Sequence, residues 1–171
     1  MNISSFARGS LPGAFLLAAA AAQAHVTLEY QVAPASASYK ASFKVGHGCG
    51  ASATRVLAVD IPAGVRAVRP MPKPGWQLAV DRAANGTDVA RVTWTARTRD
   101  DALPGAHYDE FVLVARMPAE AGTLYWPVRQ VCEEGRNDWV EIPAAGQKLS
   151  DLKSPAALLE VLPGGASGHA H

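Results

Sequence analysis

A histidine at the start of a protein offers two nitrogens, its α-amine and its imidazole Nδ1, that can close a chelate ring on one metal ion. His25 would gain that arrangement if the chain were cut after Ala24. The preceding residues invite such a cut. Arg8 is followed by an apolar run from Leu11 to Ala22, which ends in Ala22-Gln23-Ala24, the small-x-small pattern read by signal peptidase. Copper(II) favours nitrogen ligands in a square-planar arrangement. The amine, with a free pKa of about 8, must lose its proton to bind, so affinity should fall in acid.

Further donors are sparser. Asp109 and Glu110 open a segment in which Phe111 is expected to point inward, which sends Glu110 to the other face or the rim. There it could complete a coordination sphere or simply be solvated. His107 lies in a loop beside that pair, and His47 lies between glycines in Gly46-His47-Gly48-Cys49. His169 and His171 sit in a Gly-rich tail that would not define a fixed site. Met71 is a soft donor suited to copper(I), though a single Met is a weak signal. Trp76, Trp94, Trp126 and Trp139 read mainly as core, with Trp139 placed late enough to shield a site. The chain has no G-x-S-x-G elbow, no H-E-x-x-H and no phosphate-cradling loop, so hydrolysis is not expected.

The elements that must position these residues read as strands. Tyr39 to Val45 alternates, with Tyr39, Ala41, Phe43 and Val45 on one face. Val26–Tyr30, Arg55–Ile61, Asp88–Thr95, Glu110–Met117 and Thr123–Cys132 carry similar patterns. Pro and Gly clusters separate them, and Asn85-Gly86 suits a two-residue hairpin turn. Seven or more short strands without a long helical pattern indicate an all-β fold, an antiparallel β-sandwich. Residues 151–162 are expected to form a turn of helix or a last strand. The expected organisation is a signal peptide at 1–24, one domain at 25–162 and a flexible tail at 163–171.

Composition narrows the function. Arg8 is the only charge in the leader, which leaves 15 cations and 15 acids after removal of the first 24 residues. Nothing there calls for nucleic acid, and no further segment is long and apolar enough to span a membrane. Export to an oxidising compartment favours a disulfide between the only two cysteines, Cys49 and Cys132, over a thiolate metal site. Closing a loop of roughly 80 residues stabilises by about 4–5 kcal/mol at most in the chain-entropy account.

Four segments in order strengthen the metal reading: Ala24-His-Val-Thr-Leu28, Pro70-Met-Pro-Lys-Pro-Gly-Trp76, Tyr108-Asp-Glu-Phe111 and Trp139-Val-Glu-Ile-Pro143. Together they resemble the YcnI-like family of exported copper-binding proteins, over roughly His25 to Pro143. The resemblance implies a β-sandwich related to immunoglobulin-like and cupredoxin-like domains. It also implies a copper(II) site of the single-histidine brace type, with His25 as the brace, Glu110 as the assisting carboxylate and Trp139 alongside. Asp109 and Glu29 are alternatives for the carboxylate. The Cys49 and Cys132 surroundings look like the subgroup that carries a cysteine pair.

The expected function is periplasmic or extracellular copper buffering or delivery, with a membrane copper transporter or another copper-binding protein as partner. Catalysis is not expected. The competing readings are a copper monooxygenase, which would need His47 or His107 as a second imidazole, and an immunoglobulin-like interaction module without metal.

Overall fold

The computed structural model describes residues 25–164. The expected signal peptide, the tail beyond residue 164 and its His169 and His171 lie outside the described residues. Two sheets pack face to face. The first runs in the order β1 (Thr27–Leu28), β3 (Ser38–Val45), β8 (Asp109–Arg116), β5 (Arg66–Pro70). The second runs β11 (Arg136–Trp139), β10 (Val128–Cys132), β4 (Thr54–Asp60), β7 (Val89–Ala96), β6 (Trp76–Arg82). A third, small sheet closes one end with β2 (Val32–Pro34), β12 (Ala157–Leu162) and β9 (Gly122–Trp126). The fold is an all-β sandwich, antiparallel except where β12 runs parallel to β2.

Alternation explains the layers. On β3 the residues Tyr39, Ala41, Phe43 and Val45 are buried, and β8 matches them with Phe111, Leu113 and Ala115. Phe43 stands opposite Phe111, and Lys44 opposite Glu110. A slip of one residue would drive Lys44 and Glu110 into the core and expose the phenyl rings. Each fully buried large apolar side chain contributes about 1.5–3 kcal/mol, so the register is firmly set. The second sheet answers with Leu57, Val59, Val92 and Trp94, all fully buried. Trp76 and Trp94 both meet Phe111 edge-on, at 4.9 and 5.7 Å between ring centroids. All four tryptophans belong to the interior, in keeping with their reading as mainly core residues.

Three details of the sequence reading are corrected. Thr123–Cys132 is two strands, not one: Pro127 lacks the N–H that would continue the ladder, and the chain passes from the third sheet to the second there. The strand after His25 pairs only over Thr27–Leu28. Asn85-Gly86 does not form a two-residue turn. Only Gly86 in that loop takes a left-handed φ (72°). Asn85 Oδ1 instead accepts from the N–H groups of Thr87 and Asp88, each at 3.1 Å, and builds a longer loop closed by Ala83 N to Asp88 O at 2.8 Å. Residues 151–162 contain the end of a 3-10 turn at Leu149–Asp151 and then β12.

Cys49 and Cys132 are joined, with Cα atoms 6.0 Å apart. The bridge ties the loop after β3 to the end of β10. Gly48 in that loop has no alternative residue, because a Cβ there would sit 1.8 Å from the Ser52 carbonyl oxygen.

Candidate metal centre

β1 and β11 are the edge strands of the two main sheets. At that side of the sandwich, the imidazole of His25 meets the indole of Trp139, with ring centroids 5.3 Å apart and planes tilted by 58°. Trp139 is buried because the inward parity of β10 and β11 places it opposite Val128. Its ring is held in place. The indole Nε1 donates to Gln130 Oε1 at 3.2 Å, and Gln130 Nε2 donates to the His47 carbonyl at 2.7 Å and to Thr54 Oγ1 at 2.8 Å. An indole only donates, so the Gln130 amide oxygen must face it. Gln130 is 1% exposed, and losing it would leave these groups without partners in a dry interior.

Glu110 occupies the outward face of the first sheet, as expected from Phe111. Thr27, Lys44 and Glu110 form one row across β1, β3 and β8. His25 lies two residues before Thr27, outside the paired part of β1. Ser42 Oγ donates to Glu110 Oε2, and Tyr108 Oη donates to Oε1 at 2.6 Å. These two hydroxyls hold the Glu110 carboxyl below the usual carboxylate range, the Ser42 bond most of all. The same carboxylate pushes the Tyr108 phenol up to about 12, chiefly through their hydrogen bond. Among the described residues Glu110 forms no ion pair. Each oxygen retains a lone pair beyond the hydroxyl it accepts, so the group is a fixed, charged donor.

The fallback carboxylates are engaged elsewhere. Glu29 pairs with Lys44 at 3.1 Å, and Asp109 pairs with Lys73 at 2.6 Å. Lys73 also donates to the Glu110 carbonyl at 3.2 Å and lies 5.0 Å from the centre of the Phe111 ring. This gives the lysine of Pro70-Met-Pro-Lys-Pro-Gly-Trp76 a role that its sequence did not reveal: it fastens that segment to the start of β8. His47 Nδ1 contacts the Gly48 carbonyl at 2.5 Å, and His107 stands exposed in its loop. Met71 is exposed on the strap beyond β5. Among the described residues no three His, Cys, Asp or Glu side chains converge on a metal-sized site. Coordination at His25 would therefore need donors beyond a ready-made cluster of these side chains.

Ser42 and Gln130 escaped the sequence reading, and Tyr108 entered it only within the Tyr108-Asp-Glu-Phe111 segment, without a role of its own. Gln130 left one signal: it interrupts the inward series Val128, Gln130, Cys132 with a polar side chain.

The chain is similar to a crystal structure of an uncharacterized protein from Nocardia farcinica that reveals an immunoglobulin-like fold. The TM-score is 0.69 at 27% identity, over 80% of this chain and 97% of that one. No curated protein matches. A family model described as a domain of unknown function (DUF1775) matches residues 25–161, and the chain belongs to that family.

Proposed function

We propose that this protein is an exported copper(II) carrier of the YcnI-like kind, which holds the ion at the N-terminus left by cleavage before His25. The His25 amine and Nδ1 supply two nitrogens, Glu110 supplies the carboxylate, and Trp139 screens the ion from water. The observation that carries the reading is the His25 imidazole set against a tryptophan fixed by Gln130. Two others support it: the Glu110 carboxyl is held below the usual range, chiefly by the Ser42 and Tyr108 hydroxyls with a smaller pull from Lys40 and Lys44, and the family match begins at residue 25. The amine becomes a ligand only after the cut, so the precursor is inactive in binding.

Nitrogen and carboxylate donors suit copper(II), whereas copper(I) prefers thiolates and thioethers. Reduction would therefore release the ion to a transporter or a second copper protein. Buffering and delivery, not catalysis, follow from a site with one imidazole.

Tryptophan fluorescence tests this on protein beginning at His25. Copper(II) should quench emission to an end point at one equivalent, and ascorbate should restore it. Trp139→Phe should remove most of the quench, and His25→Ala should remove saturable binding. Saturable quenching that survives His25→Ala would overturn the proposal.

A further inference from the structure

The outward face of the first sheet changes character along its length. At the end opposite Glu110, Ser38, Arg116 and Arg66 form one cross-strand row, and Lys40, Val114 and Arg69 form the next. We propose that the cations of these two rows form a docking surface for an acidic segment of a protein partner.

Three observations carry this. Arg66 stands directly opposite Arg116, a pairing of like charges that destabilises a sheet unless something compensates it. All four cations are exposed, and among the described residues none of them forms an ion pair. The backbone is also bent to create the array. Arg66 and Arg69 are three residues apart and would point to opposite faces of a regular strand. A register shift between them adds one residue to β5, and Ala67 within it takes a left-handed φ of 51°. That conformation crowds an alanine Cβ against its own carbonyl. The shift turns Val65 and Val68 inward and both arginines outward. Strain at a non-glycine residue thus accompanies the gathering of charge.

The spacing identifies the partner. Neighbouring strands are about 4.8 Å apart and alternate residues about 7 Å apart. Carboxylates one turn apart on a helix have Cβ atoms separated by about 5–6 Å, which matches this grid. Three of the four cations are arginines, whose planar fork binds carboxylates through two parallel bonds. Val114, 39% exposed at the centre, offers an apolar contact. Beside the array, Arg66 and Arg116 line an open hollow of about 660 Å³, with Glu120 as the one acid on its wall. Val114 and Met71 are exposed beside the cations, and Tyr30, 71% exposed, has its carbonyl bonded by Tyr39, next to Lys40; a single ring without an apolar face is a poor bilayer anchor. A protein carboxylate is the better fit than a lipid phosphate.

The inference uses nothing of the copper site, and its test is run without copper. The probe is a fluorescein-labelled oligoglutamate peptide, read by anisotropy against the full chain at low and high ionic strength. Binding should weaken with salt. The double variant Arg66→Gln, Arg116→Gln should raise Kd about tenfold, as expected for the loss of two exposed charge pairs. Arg82→Gln, on β6 of the second sheet, should change it less than about twofold by the same reasoning. The double variant should melt no lower than the wild type, because it removes a repulsion. Equal affinity of the double variant would overturn the proposal. So would an equal loss in Arg82→Gln, or binding to phosphatidylglycerol vesicles with none to the peptide.

Discussion

The outward faces of the two main sheets differ in how far their charges are paired. On the second sheet Asp60 stands between Arg91 and Arg129, each in contact at 2.5 Å. Burial pushes its carboxyl up, but the two arginines together outweigh that and hold it below the usual range. Arg136 pairs with Asp138 at 3.1 Å, and at the nearby rim Glu133 takes Arg99 at 2.9 Å and Arg55 at 3.8 Å. The first sheet pairs Lys44 with Glu29 and Lys73 with Asp109, but leaves other charges on its outward face without an ion pair among the described residues. Glu110 is held by hydroxyls, and Arg66 faces Arg116. Most charges at the centre of the second face are thus paired within the sheet. On the two proposals above, the first face uses a carboxylate at one end and four cations without an ion pair at the other for an ion and a partner from outside.

Several changes would break or sharpen this contrast. The largest effect belongs to the covalent tie on the second sheet. Replacing Cys49 and Cys132 by serine should cost about 4 kcal/mol of stability in urea unfolding, while leaving the pairing of Asp60 intact. Asp60→Asn should cost about 1 kcal/mol at neutral pH, since the pairs are partly solvated. A depressed carboxyl stabilises the fold above its unfolded pKa and loses that contribution as pH falls through its folded value. Wild-type and Asp60→Asn unfolding curves should therefore converge in acid. Arg116→Gln is the smallest: it should leave stability unchanged or raise it by a few tenths of a kcal/mol, because it relieves a like-charge pair. A clear loss of stability in Arg116→Gln would place the first face in the same class as the second.

Much of this was readable in the chain. The alternation of Tyr39 to Val45 and of Phe111 to Met117 gave both central strands of the first sheet their faces, and placed Glu110 outward before any pairing was known. The disulfide was expected from two cysteines behind a segment that reads as an export signal, and Cys49 and Cys132 are joined. What stayed hidden was long-range. Ser42 and Glu110 are 68 residues apart, and Gln130 and Thr54 are 76 apart, so no local period links them. β5 was missed because its extra residue destroys the period that would have announced it. Pro127 hid a change of sheet inside what looked like one alternating run. Periodicity tells which way a side chain faces, and only the topology tells what it meets there.

The central claim is that copper(II) is held by the amine and imidazole of His25. Electron paramagnetic resonance during copper(II) titration tests it on two proteins, one beginning at His25 and one with a single Met placed before it. The account predicts one high-affinity nitrogen-ligated signal from the first and its loss in the second. Equal signals and equal affinity in both would contradict it.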